Sequence, residues 1–268
     1  MTDLADRAAA MLGRSARVVQ VLHGGDLSDA LAVTLDDQRV VVVKSGRNAA
    51  VEAEMLRALR RAACPAPDVL HVREDILILQ YLPNDGSVSS AWRSLGRTLH
   101  HLHDETGAAY GWDRDFRFGS VAIPNASAKT WPEFWGERRL LSSAPHVGTE
   151  FAKRLEKLTA GLPERVPLLP DASLLHGDLW SGNILISRGE VTGLVDPACY
   201  YGHSEVDLAM LTLFGSPSGA FWEAYGELEA GFEARVPIYQ LWPALVHLRL
   251  FGSGYAGMVD RLLKATGV

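Results

Sequence analysis

The stretch LLHGDLWSGNILISRGEVTGLVD, residues 174–196, decides the fold. Its polar loop, residues 176–183, lies between two apolar stretches, and a further apolar run, residues 191–195, ends in Asp196. The Ser-Arg-Gly-Glu segment before that run is typical of a β-hairpin turn. We therefore expect the chain to fold back so that the polar loop and the residue after the hairpin meet.

Three polar residues of this stretch suit one kind of chemistry: Asp178, Asn183 and Asp196. Phosphoryl transfer needs a carboxylate beside the attacking hydroxyl, and an amide and a second carboxylate to hold magnesium. In protein kinases the base Asp precedes the metal-binding Asn by five positions, and the metal-binding Asp follows the next hairpin. Loop capping would explain one such residue, but not three at these spacings. The sequence predicts Asp178 as the catalytic base and Asn183 and Asp196 as magnesium ligands.

Composition restricts the class of protein. The chain has 268 residues with 47% hydrophobic content, enough for a sizeable core in one large domain or two lobes. Its net charge of −6, without a Lys/Arg run, argues against a nucleic-acid partner. Cys64 and Cys199 make no disulfide framework, the first residues are acidic, and no apolar run approaches the ~20 residues that span a bilayer. We expect a soluble cytoplasmic protein without a membrane segment.

The first third of the chain is rich in predicted strands. The strand ending in Lys44 is preceded by another hairpin and, earlier, by a turn that contains Gly24 and Gly25. A glycine pair after a first strand lets backbone N–H groups approach a phosphate without a Cβ clash. A plain hairpin turn explains the pair alone at least as well, because neither a Walker motif nor G-x-G-x-x-G is present.

Lys44 ends the run VVVVK, as the phosphate-binding lysine ends the third strand of protein kinases. A lysine at a strand end that simply reaches solvent is the alternative. A helix predicted over residues 49–62 offers two carboxylates, Glu52 and Glu54, as partners. We predict a Lys44–Glu54 ion pair, because Glu54 directly precedes the apolar pair Met55-Leu56. Such a pair would hold the ammonium group against the α- and β-phosphates.

A linker is predicted after the fifth strand, at residues 80–86. A kinase-like chain crosses between lobes at this point and lends backbone groups to adenine, so Gln80 and Leu82 are candidate nucleotide contacts. The predicted fold is α+β and two-lobed: a small antiparallel β lobe with a helix, residues 1–83, and a larger, mainly helical lobe, residues 84–268.

The second lobe contains further polar residues at helical positions. His100, His101 and His103 are interpreted as ordinary helix-end residues, since a metal site needs a third ligand from elsewhere. Asp207 lies inside an apolar helix, and a buried Asp must be paired. We expect it to accept hydrogen bonds from the backbone at residues 176–177; an ordinary carboxylate near a helix start is the alternative.

The motifs HGDLWSGN, residues 176–183, and DPACYYGHSEVDLAM, residues 196–210, resemble the fructosamine/ketosamine kinase family, a branch of the aminoglycoside-phosphotransferase-like kinases. IYQLWPALVHLRLFGSGY, residues 238–255, and GGDLSDA, residues 24–30, are similar to the same family, as are the strand of Lys44 and the helix of Glu54. The resemblance covers nearly the whole chain and implies a protein-kinase-like fold.

This resemblance implies an enzyme that uses ATP and Mg²⁺ to phosphorylate the O3 hydroxyl of a ketosamine. The acceptor would be a ribulosamine, erythrulosamine or fructosamine, either a small molecule or a glycated lysine of a protein, and the unstable product would release the amine. By the same resemblance Asp178 orients or deprotonates the sugar hydroxyl, and Lys44 grips phosphates. Gly24, Gly25 and Ser28 would contact the nucleotide. We expect a monomer.

Two departures from the family pattern are present. His203-Ser204 stands where the family usually has Asp-Arg, and His23 stands in the Gly-rich turn where some relatives carry a Cys, so no disulfide switch is expected there. Trp180 is a candidate stacking wall for the acceptor, and Tyr200 and Glu205 are further candidates. The alternative acceptors for the same fold are an aminoglycoside, choline or homoserine hydroxyl. A non-catalytic scaffold is disfavoured because all four catalytic positions are filled.

Overall fold

The computed structural model describes residues 2–22 and 30–268. The predicted nucleotide contacts Gly24, Gly25 and Ser28 lie outside the described residues. Helix α1 (Thr2–Met11) is followed by β1 (Ala16–Leu22), β2 (Ala30–Leu35), β3 (Val40–Ser45), helix α2 (Ala49–Arg61), β4 (Val69–Arg73) and β5 (Ile76–Gln80). The five strands form one antiparallel sheet of order β1-β2-β3-β5-β4.

Alternation along β3 and β5 gives the sheet two apolar faces. Val43 and Ile78 pack against α1, in a small core that also includes Ala5 and Ala8. Leu77 and Leu79 belong to the larger core that α2 shares with the helical lobe. Because successive side chains point to opposite faces, Lys44 lies on the face opposite to Val43. The sheet therefore presents Lys44 to the cleft between the lobes.

The second lobe is mainly helical, and its elements follow in chain order. They are α3 (Trp92–His103), β6 (Phe116–Phe118), β7 (Val121–Ile123), α4 (Trp131–Phe134), α5 (Thr149–Ala160), β8 (Ser173–Leu175), β9 (Ile184–Ser187), β10 (Glu190–Leu194), β11 (Tyr200–Gly202), α6 (Glu205–Leu213), α7 (Gly219–Tyr225), α8 (Phe232–Phe251) and α9 (Ala256–Ala265). None of the described helices combines the length and apolar composition that crossing a membrane requires.

Three short antiparallel pairs, β6–β7, β8–β11 and β9–β10, arrange the loops of this lobe. The pairing of β9 with β10 confirms the predicted hairpin, with Glu190 opposite Ser187. The long stretch after α3 contains the β6–β7 hairpin, which the sequence did not predict.

The α+β, two-lobed arrangement is confirmed. The boundary at residue 84 stays a prediction; nearby, the N–H groups of Asp85 and Gly86 both donate to the carbonyl of Ile186.

Candidate active site

The polar loop turns sharply at Gly177, two residues after the end of β8. Its φ is +79°, and a Cβ added there would lie 2.1 Å from the carbonyl oxygen of Ala198. Only glycine combines that backbone conformation with that close approach. The turn brings Asp178 against the segment that follows Asp196, because the N–H of Ala198 donates to the carbonyl of His176.

Asp207, on α6, holds the backbone of this loop by hydrogen bonds. Its carboxylate accepts the N–H of His176 at 2.7 Å and the N–H of Gly177 at 2.9 Å, as predicted. His103 Nε2 lies 3.3 Å from the same carboxylate, and His103 Nδ1 lies 2.9 Å from the hydroxyl of Tyr225. Burial alone would raise the pKa of Asp207, but the hydrogen bonds and the neighbouring histidines lower it. A buried, ionised Asp207 therefore holds the loop backbone.

Two histidines in this network have roles that the sequence analysis missed. His103 is buried against Asp207 and is no ordinary helix-end residue. His176 is fully buried; its Nε2–H donates to the carbonyl of Val195 at 3.0 Å, and its Nδ1 accepts the N–H of Asp178 at 3.3 Å. Burial lowers the pKa of His176, which agrees with a neutral ring that accepts at Nδ1. The ring thus ties the loop to the end of β10.

Asp178 and Asn183 contact each other across the loop. Asn183 Nδ2 donates to the Asp178 carbonyl at 2.8 Å and to Asp178 Oδ2 at 3.1 Å. Burial and the negative charges of Asp196 and Asp207 raise the pKa of Asp178 to about 7. Asn183 thus uses its amide N–H groups on Asp178, and both residues line the same cavity.

The partner of Lys44 differs from the prediction. Lys44 Nζ lies 2.5 Å from Glu52 Oε1 and 2.6 Å from Asp196 Oδ1, whereas Glu54 forms an ion pair with Arg114 at 3.3 Å. The predicted Lys44–Glu54 pair was therefore wrong. Glu52 shares the buried face of α2 with residues three, four and seven positions later (Met55, Leu56 and Leu59), and that periodicity identifies it as the inward carboxylate. Burial alone would lower the pKa of Lys44, but Glu52 and Asp196 raise it.

Asp196 has a left-handed backbone with φ +54°, which is uncommon for a residue other than glycine. This conformation turns its side chain from the end of β10 towards Lys44. Asp178 Oδ1, Asn183 Oδ1 and Asp196 Oδ2 have no protein partner among the described residues. Carboxylate and amide oxygens are the donors that Mg²⁺ prefers, so the residues present fit that ion.

A single cavity of about 720 Å³ connects these groups. Its lining includes Lys44, Asp178, Asn183 and Asp196 at one end, which we call the polar end. Trp180 also lines it, with its ring packed over the backbone of Gly182, where a Cβ would lie 2.4 Å from the indole. The other end, the apolar end, is lined by Met210, Phe214, Trp242, Pro243, Val246, His247, Leu250, Phe251 and Tyr255.

The predicted adenine contacts lie apart from this lining. Gln80 ends β5, and its side chain accepts the N–H of Asp68 at 3.3 Å. Leu82 packs over Gly193 on β10, and its backbone has no hydrogen bond to the described residues. Both residues sit where the sheet joins the helical lobe. Their role stays a prediction.

Two predicted acceptor contacts were wrong. Tyr200 is fully buried, stacked on Phe134 at 5.6 Å and covered by the guanidinium of Arg139 at 4.1 Å. Glu205 is also buried, and both of its oxygens accept hydrogen bonds from Arg235. Neither residue lines the cavity. The aromatic and helical packing of the lobe encloses both side chains, which local sequence around Asp196 does not reveal.

The chain resembles a set of kinases in sequence and structure. Residues 3–266 match the family described as fructosamine kinase. A probable ketoamine kinase of Thermus thermophilus is 34% identical over 256 residues, covering 91% of this chain and 92% of that protein. The chloroplastic protein-ribulosamine 3-kinase of Arabidopsis thaliana is 35% identical over 209 residues, 70% of this chain and 63% of that protein.

Solved structures agree. A Thermobifida fusca crystal structure, provisionally assigned as a fructosamine-3-kinase, has a TM-score of 0.90 and 28% identity, and 99% of each chain is covered. Like protein kinases, the chain combines a lysine on the third strand, a glutamate on the following helix, and a loop and hairpin with the three polar residues. The fold is therefore protein-kinase-like. On sequence and structure together, this chain belongs to the fructosamine kinase family.

Proposed function

We propose that the protein transfers the terminal phosphoryl group of ATP to the O3 hydroxyl of a ketosamine. The observation that carries the proposal is the convergence of Lys44, Asp178, Asn183 and Asp196 on one end of a 720 Å³ cavity. A cavity of that size accommodates a drug-sized ligand, since such sites span about 300–1,000 Å³. It has room for a sugar adduct beside the phosphates.

In the proposed reaction the acceptor hydroxyl lies against Asp178, whose Oδ1 has no protein partner among the described residues. The O3–phosphorus bond forms as the bond between the terminal phosphorus and its bridging oxygen breaks. ADP leaves with that electron pair, and Asp178 takes the hydroxyl proton. Phosphoryl transfer depends mainly on positioning and electrostatics. The anchoring of this loop by Asp207 and His176 supports that requirement.

The remaining charged groups hold the nucleotide. Lys44 would contact the α- and β-phosphates while Glu52 and Asp196 keep its ammonium group in place. Mg²⁺, held by Asn183 and Asp196, would neutralise charge on the phosphates. Backbone groups at Gln80 and Leu82 would meet the adenine, and the turn with Gly24, Gly25 and Ser28 would cover the phosphates.

The lining of the cavity favours a ketosamine over an aminoglycoside. Its only carboxylates, among the residues that the structure describes, are Glu52, Asp178 and Asp196, which the catalytic machinery uses. A polycationic acceptor would require further carboxylates, yet the other charged lining residues include Arg47 and Arg117. The names of the Thermus and Arabidopsis relatives point to ketoamines and protein-linked ribulosamines. We therefore place small ketosamines and glycated lysines ahead of an aminoglycoside, choline or homoserine.

The test is phosphate transfer from ATP and Mg²⁺ to ribulosyl-, erythrulosyl- and fructosyl-lysine. We expect turnover of at least one adduct, with phosphate on O3 as located by NMR. Asp178→Asn should lower kcat by about 10³-fold or more while ATP still binds. Asp171→Asn, at an exposed position outside the cavity, is the matched control and should keep activity. Absence of turnover on all three adducts contradicts the proposal.

A further inference from the structure

A cluster of aromatic side chains lines the cavity at the apolar end. We define the aromatic rim as Phe214, His247, Phe251 and Tyr255. His247 is central to it, with ring centroids 5.1 Å from Phe214, 5.5 Å from Phe251 and 5.0 Å from Tyr255. The rim is formed by the residue after α6, the last turns of α8 and the short turn before α9. It is built from tertiary packing and lines the same cavity as Asp178.

Two aromatic rings of the rim are exposed to solvent to an unusual extent. Phe214 is 41% exposed and Phe251 is 43% exposed, although both contact a neighbouring ring. Apolar surface left in water costs about 25 cal/mol per Å², and clustered exposed apolar groups mark binding surfaces. Aromatic rings in such a cluster offer flat faces and edges to another apolar group.

Charge at the two ends of the cavity is unequal. Within residues 2–22 and 30–268, the carboxylates that line the cavity are all at the polar end, and the rim and the adjoining Leu250, Val246 and Met210 supply none. The amine of a ketosamine is carried by C1, two carbons from the C3 that bears the reacting hydroxyl. With O3 at Asp178, the substituent of that amine can extend to the apolar end, because both ends belong to one continuous cavity.

We infer that the aromatic rim binds the apolar chain carried by the amine of the acceptor, and so selects ketosamines with alkyl or arylalkyl amines over those with small polar amines. This inference rests on the proposed function and adds to it the class of amine. The four-carbon stem of a glycated lysine belongs to the preferred class, and so does the side chain of an arylalkylamine.

The test compares two ribulosamines that differ only in the amine, one made from 2-phenylethylamine and one from ethanolamine. With ATP and Mg²⁺, we expect kcat/KM to be about 10- to 50-fold higher for the phenylethyl adduct, as burial of one aryl group predicts. In the double variant Phe251→Ala/Tyr255→Ala this ratio should fall to about two-fold or less. A ratio of two substrates measured on one preparation is unaffected by loss of folded protein.

Two further variants set the limits of the test. Leu169→Ala removes a side chain that is 67% exposed and lies outside the cavity, and it should keep the wild-type ratio. Phe251→Leu keeps an apolar contact and should give an intermediate ratio. Turnover of both adducts with a ratio near one, or a ratio unchanged in the double variant, overturns this inference alone. No turnover of any ketosamine overturns the proposed function and this inference with it.

Discussion

The two ends of the cavity are held in different ways. At the polar end each functional side chain is fixed by hydrogen bonds or ion pairs at 2.5–3.3 Å, and Asp207 and His176 fix the loop backbone beneath them. At the apolar end, His247 Nδ1 lies 2.8 Å from the carbonyl oxygen of Pro243, and the rings of the rim pack with centroids 5.0–5.8 Å apart. Directional bonds suit a site that must position a proton and a phosphate within fractions of an ångström, whereas a surface made mainly of packed rings suits variable apolar groups.

The largest effect on stability is expected at the turn of the polar end. Gly177→Ala adds a Cβ 2.1 Å from the carbonyl of Ala198 at φ +79°, and we expect it to lower the free energy of unfolding by about 3 kcal/mol or more. Gly148→Ala is the matched control: its φ is +82° but nothing lies within 4 Å of the added Cβ, so about 1–2 kcal/mol is expected. Urea unfolding measures both.

Equal losses in the two variants would mean that backbone strain, not contact with Ala198, limits this turn. The polar end would then depend less on close packing than the geometry indicates. A Gly177→Ala protein that unfolds too readily for equilibrium measurement agrees with the expectation, provided that Gly148→Ala folds.

The second prediction separates the two candidate carboxylates of α2. Glu52→Gln leaves the buried Lys44 with one carboxylate instead of two, and we expect kcat/KM for ATP to fall by about 10- to 100-fold. Glu54→Gln removes only an exposed pair with Arg114, so a change within about two-fold is expected. Glu54→Gln is the matched control for Glu52→Gln, because it makes the same chemical change two positions away on the same helix. A larger loss in Glu54→Gln than in Glu52→Gln would instead support the Lys44–Glu54 pair that was predicted from the sequence.

These residues also show what could be predicted from sequence. Asp178 and Asn183 precede the β9–β10 hairpin and Asp196 follows it, so their spacing alone predicted that they meet. Choosing between Glu52 and Glu54 required the helical period of the buried face, because residues two apart on a helix point in different directions. His103 was missed because its partner lies 104 positions away, on another helix.

The apolar end could not be predicted for a related reason. Phe214 and Phe251 belong to segments that no local motif joins, and their distance is set by how α6 and α8 pack. Tyr200, four positions after Asp196, was a candidate acceptor contact. Its side chain alternates to the buried face of β11, where rings and Arg139 enclose it. Proximity in sequence to a catalytic residue therefore did not predict access to the cavity.

The third prediction concerns pH and the buried His203. Its ring contacts those of Trp131 and Tyr239, with Nδ1 2.7 Å from the Tyr239 hydroxyl. Burial, with the nearby positive charge of Arg235 and with His103, lowers the pKa of His203 to about 3. In the unfolded chain a histidine has a pKa of about 6.5. Below that pH the unfolded chain binds a proton that the folded protein does not, so stability is lost as pH falls.

We therefore expect the wild-type protein to lose more stability than His203→Gln between pH 6.5 and pH 5, by about 1–2 kcal/mol in the free energy of unfolding. Above pH 7 the difference between the two proteins should be constant. Urea unfolding across this range measures it, and His176 contributes equally to both. Parallel pH curves would show that His203 accepts its proton in the folded protein.

The smallest effect is expected at the aromatic rim itself. Phe251 is 43% exposed, so Phe251→Ala should lower the free energy of unfolding by about 1 kcal/mol or less. Phe221, which is fully buried under Trp92 and Trp222, is the matched control, and Phe221→Ala should cost about 3–5 kcal/mol. If thermal unfolding showed similar losses of stability in Phe251→Ala and Phe221→Ala, the rim would be part of the structural core. The apolar end would then not be a surface available to a ligand, and its contrast with the hydrogen-bonded polar end would fail. A small loss in Phe251→Ala would instead mean that this exposed ring contributes little to folding, which is what a surface kept for an apolar ligand requires.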